Sequence, residues 1–515
     1  MAGRTQPVNP FPGIASAAVV AALILGTLAA IALRAEAGQG FGPADWAALR
    51  FTLTQAVLSA LISAGLAIPV ARALARRRFP GRSVLIALLG APFILPVIVA
   101  IIGLLQVFGR AGWISDAFGL FGLPPIRIYG LHGVVLAHVF FNLPLATRLI
   151  LQGWQEVPSE RFRLAAQLGC DERSMFRLIE LPMLARILPG VLAVIFAICL
   201  TSFAVALTLG GGPRATTIEL AIYQAFTYDF DLSRAAMLSA LQLVLTTAAA
   251  YAALKLSRGD GFGAGLDRAI RRWDGGKPIV DTIWIAIASV FLLLPLMSVV
   301  ISGLVGLASL PVVVVQAAMT SLAVAALSTF VLLLMALPMA ATIATGRYGF
   351  VDVSGILGLA ASPLVIGTGL FIVLRPLVDP TSLALPVTAL VNAVMALPFA
   401  LRILVPAARD VVQRHGRLAL SLNMEGRVFF SRILIPRMRP QIGFAAGLAA
   451  ALSMGDLGVI TFFANAETAT LPLQIYRLMG AYQMQAAAGG ALLLLVLSMT
   501  VFWLLDRGGR WHAEA

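Results

Sequence analysis

Charge is the first thing this chain is short of. Only 12% of its 515 residues are Asp, Glu, Lys or Arg, against 60% hydrophobic ones. Soluble domains carry about a quarter charged residues. With a mean hydropathy of +0.95, the composition excludes an ordinary soluble protein and predicts a polytopic membrane protein. Cysteine is almost absent. Cys170 and Cys199 are too few for a disulfide framework or a thiolate metal site, and both read as small packing residues. The four histidines, His132, His138, His415 and His512, have no metal-binding spacing and stand beside no nucleophile. His132 and His138 read as packing or interface residues, so no metal site and no enzyme activity are expected. A phosphate-cradling loop is also missing. Gly275-Gly276-Lys277 resembles the end of one, but Arg271 stands where the first Gly belongs and Pro278 follows the Lys. The chain is therefore expected to hold no ATPase and no cofactor of its own.

What the chain has in abundance is long apolar runs. The first, 14–33, is long enough to span a bilayer, and despite the small-residue sequence Ala35-Glu36-Ala37 it reads as an uncleaved helix rather than a signal peptide. Further runs lie at about 51–75, 84–108, 130–152, 187–209, 235–256, 280–305, 316–343, 353–374, 386–408, 441–463 and 487–506. They predict an all-α fold of about 12 transmembrane helices in two six-helix halves. A first domain over 1–255, a basic Gly-rich linker over 256–278 and a second domain over 279–515 follow from that spacing. The net charge of +14 is distributed as an orientation signal. Placing the N-terminus, the linker and two polar loops on one side gathers 29 of the 37 Lys and Arg residues there. That side, with both termini, is expected to be cytoplasmic, with the surplus facing anionic lipid rather than nucleic acid.

The two polar loops are copies of one another. RLAAQLGCDERSMFRLIELP (163–182) recurs 254 residues later as RLALSLNMEGRVFFSRILIP (417–436). Over 141–184 and 395–438 thirteen positions are identical, among them Pro144/Pro398, Arg148/Arg402, Arg163/Arg417, Leu164/Leu418, Ala165/Ala419, Phe176/Phe430 and Pro182/Pro436. Gly169 in the first copy is Asn423 in the second. Each loop reads as a short amphipathic helix, redirected at Gly169 and its charged successors, then a second helix up to the proline. Gly169 is expected to permit a close helix approach. The earlier spans echo as well, with Thr52-Leu53 to Pro69 matching Ser321-Leu322 to Pro338.

Within the spans, the polar residues that could line a path are Asn142, Thr201, Ser202, Asn392, Ser453 and Asp456, with Thr201-Ser202 matched approximately to Ser453-Met454. Asp456 is the most expensive of them in a membrane. It could attract a cationic substrate, or it could cap the backbone of the broken Ser-Met-Gly-Asp-Leu-Gly stretch; both readings stay open.

The repeated loop, Arg163-Leu164-Ala165 with Gly169, Ile179, Leu181 and Pro182, resembles the signature of ABC importer permeases, Glu-Ala-Ala-x3-Gly-x9-Ile-x-Leu-Pro, with Arg in place of Glu. The loop LTLGGGPRATTIELAIYQAFTYDFD (207–231), with SMGDLGVITFF (453–463) and LPLQIYRL (471–478), is similar to the permease of bacterial thiamine ABC transporters along essentially the whole chain. The resemblance implies an inner-membrane importer subunit that receives thiamine or its phosphates from a periplasmic binding protein. It implies a separate ATPase dimer, holding ATP and Mg, on which Arg163, Leu164, Ala165, Gly169, Phe176, Arg417, Leu418, Ala419, Asn423 and Phe430 would dock. An iron(III) ABC permease is the alternative; an ion-driven twelve-helix secondary transporter is disfavoured because paired docking loops would have no purpose in it, and a plain membrane anchor would not need two symmetric sets of spans.

Overall fold

The computed structural model describes residues 7–35, 40–90, 94–212, 215–256, 278–464 and 468–510, with Leu359 and Ala360 as backbone alone. The linker expected at 256–278 lies, apart from its two end residues, outside the described residues. The described residues are helical, with no strand among them.

In the first half the helices are α1 (Phe11–Arg34), α2 (Pro43–Arg76), α3 (Arg82–Leu88), α4 (Val97–Phe108), α5 (Trp113–Leu120), α6 (Leu131–Glu156), α7 (Ser159–Gln167) and α8 (Glu172–Met175). There follow α9 (Leu181–Leu200), α10 (Phe203–Leu209), α11 (Ile218–Thr227) and α12 (Leu232–Leu256). The second half has α13 (Pro278–Leu307), α14 (Val312–Ala344), α15 (Gly349–Ala360), α16 (Pro363–Leu374), α17 (Ala384–Ser421), α18 (Arg427–Phe429), α19 (Ile435–Arg437), α20 (Arg439–Met454), α21 (Ile460–Phe463), α22 (Leu471–Gly480) and α23 (Met484–Arg510).

All twelve apolar runs fall on helices, yet not all are single spans. Among the described residues ten helical stretches, α4 with α5 counted as one, are long and apolar enough to cross a bilayer, eleven if α15 and α16, bent by 97°, count as one. The remaining run is split: α20 has only 16 residues, and Gly455-Asp456-Leu457-Gly458 separates it from α21. The runs at 84–108 and 187–209 are interrupted too, the latter at Thr201-Ser202. Hydropathy counts apolar residues but not the direction they run, which is why the sequence reads each run as one span. Helix interiors keep their prolines, Pro69 and Pro338 in α2 and α14, Pro144 and Pro398 in α6 and α17. Neighbouring helices tolerate such residues in membrane bundles.

Matching positions do matching work. The Thr52 hydroxyl accepts the Ile218 N–H at 2.9 Å and the Ser321 hydroxyl accepts the Leu471 N–H at 2.8 Å, so each half pins the start of its short helix, α11 or α22, to its second span. That gives a physical meaning to the Thr52–Pro69 and Ser321–Pro338 echo.

The first helix of each half also reaches across to the other. α1 packs on α14, α15 and α16 as well as on α12, and α13 packs on α2 and α4 as well as on α23. Each crossing is made by a glycine. A Cβ on Gly103 would stand 2.4 Å from the Pro295 carbonyl oxygen, and one on Gly369 would stand 2.6 Å from that of Thr27. Small residues let backbones meet this closely where lipid offers no hydrophobic drive for helix association. As a result neither core belongs to one half. Ala17, Val20 and Ile24 of α1 are buried with α14 and α17 residues, and Ala288 and Val299 of α13 with first-half residues.

Candidate functional site: two exposed polar segments and the cavity between the halves

In the first polar segment, α7 ends in a closed turn. Cys170 N–H bonds the Ala165 carbonyl at 3.0 Å and Gly169 N–H bonds that of Ala166 at 3.1 Å, with Gly169 at φ +71°. This is the Schellman arrangement, which needs a left-handed residue at its end. The second segment repeats it. Met424 N–H bonds Ala419 at 2.8 Å and Asn423 N–H bonds Leu420 at 3.1 Å, with Asn423 at φ +56°. Asn is the side chain that best tolerates this backbone after Gly, so the apparent loss of the signature glycine preserves its geometry. Within the chain a Cβ at Gly169 would have no atom within 4 Å among the described residues, so any close approach there would be made by a docked partner. In the fold itself Gly169 serves the turn.

After each turn the chain makes a wide helical turn at the same place. Leu181 N–H bonds the Phe176 carbonyl and Ile435 N–H that of Phe430, five residues back. Pro182 and Pro436, next in line, have no N–H with which to continue a regular ladder. Such π-turns cluster at functional sites. Arg163, Leu164, Leu168, Gly169, Arg417, Leu418, Leu422 and Asn423 are exposed, Leu168 by 81% and Leu422 by 61%; Ala165, Phe176 and Phe430 are half-buried and Ala419 is buried. Asp171 starts α8, its Oδ1 accepting the Ser174 N–H at 3.0 Å. The bonds from Ser174 hold its carboxyl below the usual range.

The segments differ in their supports. Beneath the first lies an ionic network. Buried Glu180 takes Arg72 Nε at 2.6 Å and Trp154 Nε1 at 3.3 Å, Glu172 takes Arg76 at 2.9 Å, and Asp281 of α13 takes Arg77 at 2.7 Å. Arg72 also lies 5.1 Å from the Phe176 ring centroid. At the corresponding places the second half has Leu434, Ala408 and Ala341, all buried. The second segment instead holds the N-terminal residues: Gly426 N–H bonds the Pro7 carbonyl at 2.8 Å, and Val8 is buried.

The helices leading to these segments enclose a cavity of about 950 Å³, and all six polar span residues line it: Asn142, Thr201, Ser202, Asn392, Ser453 and Asp456. The geometry corrects their matching. Asn142 Nδ2 donates to Cys199 Sγ at 3.3 Å, and Asn392 Nδ2 donates to Ser453 Oγ at 3.1 Å. Ser453 is thus the partner of Cys199, and Asp456 stands where the first half has Ser202. The break after α9 is clamped from outside. Gln55 of α2 donates to the Cys199 carbonyl at 2.9 Å and Gln242 of α12 donates to the Leu200 carbonyl at 2.8 Å. The break after α20 closes on itself, with Asp456 Oδ1 accepting the Gly458 N–H at 3.0 Å.

His138 is buried, its Nδ1 lies 3.2 Å from Ser59 Oγ, and it too lines the cavity. The residue that sequence reading passed over is Glu219, which is 1% exposed and lines the same cavity. It lies inside the loop 207–231; its signal was a lone carboxylate in the otherwise apolar IELAIYQAF. Towards the polar-segment end the cavity is lined by Glu156, Arg186 and Arg402. Phe203, which lines the cavity, belongs to an aromatic group from both halves: Phe203 to Tyr223 at 5.3 Å between centroids, Tyr223 to Phe462 at 6.1 Å and Phe226 to Phe462 at 4.7 Å. No group of His, Cys, Asp and Glu able to hold a metal ion is found among the described residues.

No family model matches the chain. Individual relatives do, along their whole length. It is 40% identical to the thiamine transport system permease protein ThiP of Salmonella typhimurium, over 100% of both chains. It is 40% identical to that of Brucella abortus, over 98% of this chain and 96% of the relative, and 39% identical to that of Escherichia coli K12, over 98% of each. With this similarity running from end to end, the chain belongs to the family of thiamine transport system permease proteins.

Proposed function

We propose that the chain is the transmembrane subunit of an ATP-driven importer in the bacterial inner membrane, and that it passes thiamine or its phosphates through the cavity between its halves. The observation that carries this is the coincidence of parts. Two exposed segments with the same turn and the same π-turn sit at the ends of helices that line one cavity. Leu164, Leu168, Leu418 and Leu422 present apolar side chains on otherwise polar segments, which suits docking to a protein partner. In this reading Arg163, Leu164, Ala165, Gly169 and Phe176, with Arg417, Leu418, Ala419, Asn423 and Phe430, form two coupling elements that seat in a separate ATPase dimer carrying ATP and Mg. Movement of that dimer reaches the cavity as rigid-body motion of 1–255 against 279–515. A periplasmic binding protein delivers the substrate from the other side, and both termini lie in the cytoplasm. Asp456 serves both readings given for it: Oδ1 closes the local turn, while Oδ2 has no partner among the described residues.

The test is reconstitution of the full chain with a partner ABC ATPase and a thiamine-binding protein. ATP-dependent accumulation of labelled thiamine in proteoliposomes is the expected result. Iron(III) uptake without thiamine uptake would replace the substrate, and uptake without the ATPase would replace the class.

A further inference from the structure

Glu219 is the second residue of α11, and a carboxylate in a first turn is favoured by the helix dipole. The dipole accounts for the charge but not for the burial. Neither carboxylate oxygen makes a hydrogen bond of normal geometry, and no Lys or Arg is paired with it among the described residues. The polar groups facing it are the Ser362 hydroxyl and the Phe203 backbone. α11 cannot easily swing it elsewhere, because the Thr52 hydroxyl holds the Ile218 N–H. Asp456, from the other half, likewise lines the cavity and keeps Oδ2 unpartnered, faced by Asn392. The two approach the same break, since Ser362 faces Glu219 and its neighbours Pro363 and Leu364 pack against Gly458 beside Asp456.

A buried carboxylate is retained in a membrane only when something makes good its lost hydration. Glu219 and Asp456 line the cavity with their unpaired oxygens shielded from water, and Phe203, which also lines it, packs 5.3 Å from the Tyr223 ring. Carboxylates plus ring faces suit a weakly hydrated organic cation better than a metal ion, which needs several converging oxygens. We propose that Glu219 and Asp456 together form the site that holds the positive charge of an organic cation in transit, the thiazolium ring if thiamine is the cargo. This rests on the proposed function.

The test compares labelled thiamine with 3-deazathiamine, in which carbon replaces the quaternary nitrogen and the ring is neutral, in the reconstituted full complex. Glu219→Gln is expected to lower thiamine uptake at least tenfold and to cut the thiamine-to-analogue uptake ratio by a similar factor, with Glu219→Asp restoring part of the ratio. Retention of the wild-type ratio in Glu219→Gln, or an equal fall for both compounds, overturns the site. A second measurement needs no variant. Dicyclohexylcarbodiimide labelling of Glu219 in the wild-type complex, read by mass spectrometry, should be protected by thiamine and not by the neutral analogue; equal protection by both, or by neither, also overturns it. If the wild-type complex moves no thiamine at all, the proposed function itself fails and this site with it. If thiamine moves and the ratio survives, only the site fails.

Discussion

The two polar segments have one backbone and two chemistries. Turn, π-turn and exposed leucines recur, but the first stands on Arg72, Glu180 and Trp154 while the second stands on Ala341, Leu434 and Ala408. Ion networks and well-packed apolar residues of similar volume are often close in stability, whereas half a network is not. The comparison therefore teaches that the geometry of the segment is what both halves retain, and that its support is interchangeable only as a set.

The largest effect should come from breaking that set. Glu180→Leu alone leaves Arg72 and the Trp154 N–H facing an apolar side chain, and is expected to destabilise the full chain by about 3–5 kcal/mol. Adding Arg72→Met, which removes the stranded charge at similar volume, should recover part of the loss in denaturant unfolding of the detergent-solubilised chain, the Trp154 N–H remaining unpaired. No recovery would mean the halves are not equivalent at this place.

Next come the breaks. Gln242→Leu removes the donor to the Leu200 carbonyl, so a cost of about 1–3 kcal/mol is expected for the buried acceptor left behind, together with slower thiamine uptake. Among the described residues the second half shows no such clamp, and loss of Asp456 should act differently: Asp456→Asn keeps an acceptor for Gly458 N–H and should hold assembly while weakening uptake. Equal stability losses for the two variants would erase the distinction between an outside clamp and a local turn.

Smaller still is the turn. Gly169→Asn copies Asn423 and is expected to be nearly neutral, whereas Gly169→Val, β-branched at φ +71°, should cost about 1–2 kcal/mol and reduce transport-coupled ATP hydrolysis. Identical behaviour of the two would show that the left-handed turn does not matter. The smallest perturbation tests orientation. With Cys199 replaced by Ser, as at Ser453, and Cys170 by Ala, single cysteines at Gln167→Cys and Ser421→Cys should both react from the cytoplasmic side. Phe230→Cys, at an 82% exposed position, should react from the other side. Labelling of the first two from opposite faces would undo the parallel arrangement.

Much of this was legible in the chain and some was not. Arg163 to Pro182 against Arg417 to Pro436 showed the duplication because turn residues and prolines constrain the backbone locally. Asn142, Asn392, Ser453 and Asp456 stood out as polar residues in apolar runs, and all reach the cavity. The approximate pairing of Thr201-Ser202 with Ser453-Met454 was off by two: Ser453 answers to Cys199, as the 254-residue offset of the repeat already requires and the Asn142 and Asn392 hydrogen bonds agree. That the runs at 353–374 and 441–463 are bent or split was not legible, because Pro363 and Gly455 redirect chains whose hydropathy does not change. Glu219 was missed because a charge in a loop is ordinary until that loop turns out to be a buried helix.

The reach of each first helix into the other half sets a timetable for synthesis. α1 ends beside Gly369, more than three hundred residues downstream, and a ribosome adds about 5–20 residues per second. For tens of seconds the newborn α1 has only lipid where its permanent neighbour will be, so it must be content in both settings. Its composition allows that: FPGIASAAVVAALILGTLAAIALR carries no charge before Arg34. A chain stopped after the first half would leave α1 without its seat and α4 without α13. Making both halves on one message guarantees that each receives the helix it cannot supply for itself.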